Sequence, residues 1–240
     1  PTGPRAGGGL SGLSPGGVWP GVSAGLDAHA GRRGALSVLK ATLDGPDPRE
    51  SEPAVGAAIK IAFLQKKGIA NTVLMPYVDR LANFGLWFQQ LWAESLGKNG
   101  TGSTPIRAMG TRDQHSQMQL YLAGPRDKLF TLMTLEVAGK GGLISNALVK
   151  EPELAYLQRR RMGDLLDAEQ RATAQTLVRN GCPVRLFELD HLDEEVMGAL
   201  MMHFMLETII SAGLLKVNAF DQPAVEEGKI LARKFLSEMD

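Results

Sequence analysis

Apolar residues recur along the chain in two rhythms, one suited to helices and one to strands. Behind Ser51 as N-cap, with Glu52 and Pro53 in the first turn, Val55, Ala58, Ile59, Ala62 and Phe63 fall at helical spacing, and Gly68 marks the stop. That spacing predicts a helix with those apolar residues inward. Asn71 to Pro76 reads as a short strand, and Tyr77 to Leu96 as a helix whose apolar side carries Phe84, Trp87, Phe88, Leu91 and Trp92. Strands are expected at Pro105–Met109, Phe130–Val137 and Val184–Leu189. Helices are expected from about Arg112, over Gly163–Asn180 with Leu166, Leu177 and Val178 inward, and from Asp193 onward. This alternation predicts an α/β fold with a parallel sheet covered by helices on both faces. In such a sheet ligands gather at the carboxyl ends of strands, so the turns after Met75, Met109, Val137 and Leu189 are candidate site positions.

The apolar run ending near Leu215 halts at a polar knot, Phe220 to Gln222, and restarts as a helix that Pro223 can open. Gln222 then borders the helix start, with Glu226 and Lys229 one turn apart on one side. Residues 1 to 34 are so rich in Gly and Pro that neither helix nor strand is intrinsically favoured, and a poorly ordered segment or a remnant of a preceding region is expected.

Composition narrows the function classes. The 240 residues can bury a real core, and 26 Lys and Arg balance 26 Asp and Glu, so no electrostatic case exists for nucleic-acid binding. The single cysteine, Cys182, excludes an intramolecular disulfide framework and fits a reducing, cytoplasmic setting. The stretch from Val196 to Leu215 approaches the roughly twenty apolar residues of a membrane span, but His203, Glu207 and its glycines favour a buried core helix, so no membrane partner is expected. No GxGxxG or P-loop motif stands in strand-to-helix context, and no histidine pair has zinc spacing; neither a cofactor nor a metal is called for. Met201 to Met205 reads as core packing, and Ser95 and Ser116 occupy no nucleophile elbow. Gly139-Lys140-Gly141-Gly142 is either a plain turn or an anion cradle.

Among the candidate residues, Glu94 continues the line of Phe84, Trp87 and Leu91, a position that removes water from a carboxylate, with Lys98 nearby to oppose the resulting rise in pKa. His115 lies early in its helix, where a second positive charge is discouraged and neutral imidazole is favoured. On spacing alone Glu94 reads as a surface glutamate at a helix end and Lys229 as a solvated partner of Glu226, and His115 is also readable as a helix-surface histidine.

Ala212 through Lys229, Glu94-Ser95-Leu96-Gly97-Lys98, and Thr111 to Gln117 with its Gln114-His115 pair resemble, in this order, three motifs of the glucose-6-phosphate isomerases of bacterial type, in their C-terminal part. Agreement runs from about Gly34 to the end. Before it, Gly7, Gly8, Ser11, Ser14, Pro15 and Ala24 to Asp27 fall in step, while the family's arginine falls on Gly9 and its aromatic on Leu10. The resemblance implies a flavodoxin-like αβα sandwich, a sugar isomerase domain over residues 35–215 with a mainly parallel five-stranded sheet, followed by a C-terminal signature and helix over 216–240.

The implied activity is the glycolytic, reversible conversion of glucose 6-phosphate and fructose 6-phosphate, without cofactor. In that reading Lys229, and His115 from the other subunit of a homodimer, help open the ring; Glu94 carries one proton between C2 and C1 through an enediol; and Gln222 hydrogen-bonds the sugar phosphate. The family holds the phosphate largely with Ser and Thr of a preceding domain that has no counterpart before Pro1, so the chain is expected to be a C-terminal part. The alternative is a noncatalytic sugar-phosphate-binding or regulatory module, or an inactive fragment.

Overall fold

Four apolar runs pair side by side as parallel strands: β1 (Asn71–Pro76), β2 (Thr104–Arg107), β3 (Lys128–Leu135) and β4 (Val184–Leu189), in the order β2-β1-β3-β4. Val73 stands opposite Ile106 on one side and Phe130 on the other, and Leu132 opposite Leu186. This is a computed structural model, and it describes residues 8–145, 149 and 151–239; Gly7 and the side chains of Gly8 and Glu226 lie outside the described residues. Five strands are expected from the resemblance, but the described residues form four, the same four runs that the apolar pattern marks.

Parallel strands that follow one another along the chain require long crossovers, and each is made by a helix. These are α4 (Ala82–Leu96) between β1 and β2, α5 (Gly110–Ala123) between β2 and β3, and α6 (Met162–Arg179) between β3 and β4. The remaining helices are α1 (Pro15–Ser23), α2 (Ala28–Asp44), α3 (Glu52–Lys67), α7 (Glu194–Leu215) and α8 (Ala224–Ser237).

The chain divides into two compact units. A sheet unit takes Ala62–Gln89 and Ser103–Met197; a helical unit takes Pro1–Ile61, Gln90–Gly102 and Gly198–Asp240. In the sheet unit, alternate residues of the central strands, Val73 and Met75 with Phe130 and Leu132, pack in one core with Tyr121 of α5 and Leu177 of α6. The other face is also dry, since Thr72, Leu74, Thr131 and Met133 are buried, which is why these strands read as runs rather than as alternation. On α6, Leu177 is buried as expected and Leu166 packs at the core edge, but Val178 is exposed; Gln170 and Thr173 take the inward positions instead.

In the helical unit, α7 has the length and hydropathy of a membrane span. It is a core helix nonetheless: Phe204, Glu207 and Thr208 have no exposed surface, and the Glu207 carboxylate pairs with the buried Lys60 ammonium at 2.8 Å. His203 Nε2 lies 3.1 Å from the same carboxylate, and Lys60 stands 4.4 Å from the centre of the Trp92 ring. Gly198 meets Gly31 so closely that a Cβ there would fall 1.8 Å from the Gly31 carbonyl oxygen. Lys60 also explains a departure on α3. Its buried stripe is Pro53, Gly56, Ala57, Lys60 and Ile61, whereas Val55, Ala58, Ile59 and Ala62 are exposed.

The Gly-rich start of the chain is helical once described. Ser14 Oγ accepts the Gly17 N–H at 3.2 Å with Pro15 at the first helical position of α1, and Asp27 Oδ1 accepts the N–H groups of His29 and Ala30 to open α2.

Candidate functional site

Glu94 lies in the last turn of α4, half-buried, and accepts a hydrogen bond from Gln90 Nε2 at 2.9 Å. Three stretches far apart in sequence close around it in the helical unit. Gly9 and Leu10 come from the N-terminal turn, Leu91 and Ser95 from α4, and Ala219 to Gln222 from the polar knot. Glu94 and Gln222, both singled out in the sequence, line this one cleft. Lys229, on α8, is exposed and is not among the residues described in that lining, and His115 belongs to the sheet unit.

The knot is tied by groups whose role spacing does not reveal. Phe220 N–H donates to Asn218 Oδ1 at 3.0 Å, and Asn218 Nδ2 donates to Asp221 Oδ2 at 3.0 Å. Lys98, expected to act on Glu94, instead sends its ammonium to Asp221 Oδ1 at 3.1 Å, to the Ser95 carbonyl at 3.1 Å and to the Asn218 carbonyl. It thus clamps the end of α4 to the segment that carries Gln222. A lysine beside a candidate glutamate gives no hint in the sequence of a partner so far along the chain.

Gly9 is buried, and a Cβ on it would lie 2.7 Å from Leu91 Cα. The backbone at this point approaches α4 too closely for any larger residue. The cleft itself is narrow, about 10 Å³, against the several hundred that a bound metabolite fills.

His115 is exposed on α5, whose start is built with care. Asp113 Oδ2 accepts the Met109 N–H at 2.6 Å, Ser116 Oγ donates to Asp113 Oδ1 at 3.2 Å, and the Arg112 guanidinium contacts both oxygens. The Arg112 hydrogen bond, with help from the Met109 N–H, holds the Asp113 carboxyl down to about 2 despite burial. Next to His115, Gln114 faces inward, and its Oε1 accepts from Tyr77 Oη at 2.5 Å and from Thr173 Oγ1 at 2.9 Å.

The sheet unit carries a larger cleft of about 720 Å³. It lies where the sheet geometry expects one, at the carboxyl ends of β1 and β3 and the starts of α5 and α6, and the turn residues Tyr77, Met109 and Val137 line it. The glycine loop beside it is not a free anion cradle, because Gly139 N–H donates to Asp164 Oδ1 at 2.7 Å and Lys140 N–H to the Val137 carbonyl at 2.9 Å. Among the described residues, no three His, Cys, Asp or Glu side chains are grouped to share a metal ion.

The sequence model of the family described as phosphoglucose isomerase matches residues 33–240. The chain belongs to that family. A glucose-6-phosphate isomerase of Rubrobacter xylanophilus is 39% identical over 226 residues, covering 94% of this chain and 52% of the relative. One of Thermus thermophilus is 35% identical over 245 residues, covering 97% of this chain and 56% of the relative. Among solved structures, a hypothetical protein of Thermus thermophilus aligns with a TM-score of 0.85 at 37% identity, over 96% of this chain and 55% of that one. A glucose-6-phosphate isomerase of Chlamydia trachomatis, at 22% identity and a TM-score of 0.74 over 97% of this chain and 47% of that one, shares the fold. The chain thus spans about half the length of the phosphoglucose isomerase relatives it matches.

Proposed function

We propose that this chain supplies the catalytic base and part of the substrate pocket of a glucose-6-phosphate isomerase. The observation that carries the reading is the meeting of Glu94 and Gln222 in one cleft, since their positions along the chain give no local reason for it. Glu94 takes the proton from C2 of the open sugar and returns it at C1, while Gln222 holds the sugar phosphate. Lys229, and His115 from a second copy in a homodimer, assist ring opening. The exposure of His115 and the narrowness of the Glu94 cleft agree with a site that further chain must complete.

The test is consumption of fructose 6-phosphate in a coupled assay, run on this chain and on a version extended to the length of its relatives, each with and without Glu94→Gln. We expect the substitution to lower turnover about 100- to 10,000-fold in any form that is active. Equal turnover with and without the carboxylate would reject the assignment.

Gly9 favours a second reading, a noncatalytic sugar-phosphate-binding module. The family's arginine is missing there, and the contact with Leu91 leaves no room to restore it. Losing one such donor weakens transition-state stabilisation by about 3 kcal/mol. Calorimetric binding of fructose 6-phosphate without turnover would decide for this reading.

A further inference from the structure

At the opposite end of the sheet from the cleft just described, the amino ends of β1, β3 and β4 border another concavity of about 250 Å³. It shares no lining residue with that cleft or with the Glu94 cleft. Three connections meet there: the end of α3 with Ile69, the loop from α5 to Lys128, and the turn from Gly181 to Pro183.

Its walls divide chemically. Phe63, Ile69 and the edge-paired rings of Tyr121 and Phe130, with centroids 4.9 Å apart, form the apolar part. The Tyr121 hydroxyl donates to Gln117 Oε1 at 2.7 Å, and burial pushes its pKa up to about 12, so this wall stays uncharged. Lys67, Arg126 and Lys128 form the charged part, and no carboxylate stands among the described residues that line the cleft.

The three cations differ in what they have left to give. Lys128 is buried, and Asp127 Oδ1 neutralises its ammonium at 2.5 Å. Arg126 donates from Nη1 to Cys182 Sγ at 3.1 Å, a contact that fixes the guanidinium on the wall while the rest of its fork is unspent among the described residues. Lys67 closes α3, where the negative end of a helix already accounts for a cation. Arg126 lies beyond the end of α5 and has no such account.

A guanidinium held in place suits a carboxylate, because its planar fork can meet both oxygens at once. The apolar walls define the rest of the ligand, since a bare inorganic anion would leave Phe63 and Ile69 unmatched. A dry cavity of roughly 150 Å³ takes a benzene ring. The cleft therefore has room for one ring bearing an acid group and for little more.

We propose that this amino-end cleft binds a small aromatic carboxylate, with the ring against Phe63, Ile69 and Tyr121 and the acid group held by Arg126 and Lys67. The site is an addition to the isomerase chemistry and does not depend on Glu94.

The probe is benzoate, titrated into the chain and followed by backbone amide shifts. Benzamide, which keeps the ring without the charge, and acetate, which keeps the charge without the ring, are the controls. Cys182 supplies an independent readout, because it is the chain's single cysteine and lines the cleft. Benzoate is expected to bind about tenfold or more tightly than either control and to shift amides around Ile69, Arg126 and Gly181. It should also slow labelling of Cys182 by the uncharged reagent methyl methanethiosulfonate in step with occupancy. Arg126→Ala combined with Lys67→Ala, both at exposed positions, should weaken benzoate about tenfold or more and leave benzamide unchanged. Circular dichroism checks that this variant is folded; should it not fold, the comparison of the three probes on the wild-type chain decides alone. Benzamide or acetate matching benzoate overturns the proposal, as does benzoate binding that survives the double substitution. Absence of binding, or shifts centred on Tyr77 and Gly110 at the other end of the sheet, overturns it equally.

Discussion

Asp113 shows how much one side chain can fix. Its carboxylate takes the N–H of Met109 and bonds from Arg112 and Ser116, so the start of α5 is closed from within its own first turn. Because its folded pKa is lowered to about 2, its contribution is complete above the unfolded value near 4 and disappears as pH falls from about 4 through about 2. We expect Asp113→Asn to destabilise the protein by about 1–2 kcal/mol at neutral pH, and the difference between wild type and variant to shrink across that acid window, as read by thermal melts. Some of this scale was legible beforehand. Glu94 continues a visible line of aromatic and apolar positions, and it is indeed at the edge of a buried face. Lys98 was not legible, because its carboxylate partner, Asp221, lies beyond three strands and three α-helices of intervening sequence. Nor was the fit of Gly9 against Leu91, which depends on backbone proximity and leaves no trace in residue type.

Elements were legible wherever side-chain pattern dominates. The four strands and the helices α3 to α8 were read close to their observed limits, since runs and periodicities of apolar residues follow directly from burial on one or both faces. Reading failed in two informative places. α1 and α2 form in a stretch of poor propensity because Ser14 and Asp27 supply caps, a local effect that composition obscures. α3 turns a different face inward because Lys60 finds Glu207, and a charge is counted as outward by any pattern that ignores its partner. Lys60→Ala should therefore cost about 3–5 kcal/mol by stranding the Glu207 carboxylate, whereas Lys60→Met combined with Glu207→Leu should lie near wild type. Chemical denaturation of the two variants and the wild type measures both outcomes. A double variant as unstable as the single one would mean that the pair contributes more than relief of a buried charge.

At the scale of the whole molecule, family membership was legible from three motifs in order. The proposed site draws Glu94 and Gln222 from one copy and His115 from another, and this can be examined without any view of the assembly. Extended chains carrying Glu94→Gln or His115→Ala should each be nearly inactive. Mixed after dissociation and reassembled at random, they should recover roughly a quarter of the wild-type turnover, since half of the dimers then hold one intact site of two. Recovery no greater than the sum of the separate variants would place both residues in the same copy or remove His115 from the reaction.

The helical unit is assembled from three separated lengths of polypeptide, and its long core helix belongs to the last of them. As the polypeptide is made at roughly 5–20 residues per second, the stretch up to Ile61 waits several seconds for the packing partners that α7 brings, while the sheet unit already has all its strands. During that interval Lys60 stays in water, and only the arrival of Glu207 lets α3 settle. Completion of the helical unit thus waits on α7, and until then α2 and α3 are the helices most exposed to a chaperone or a protease.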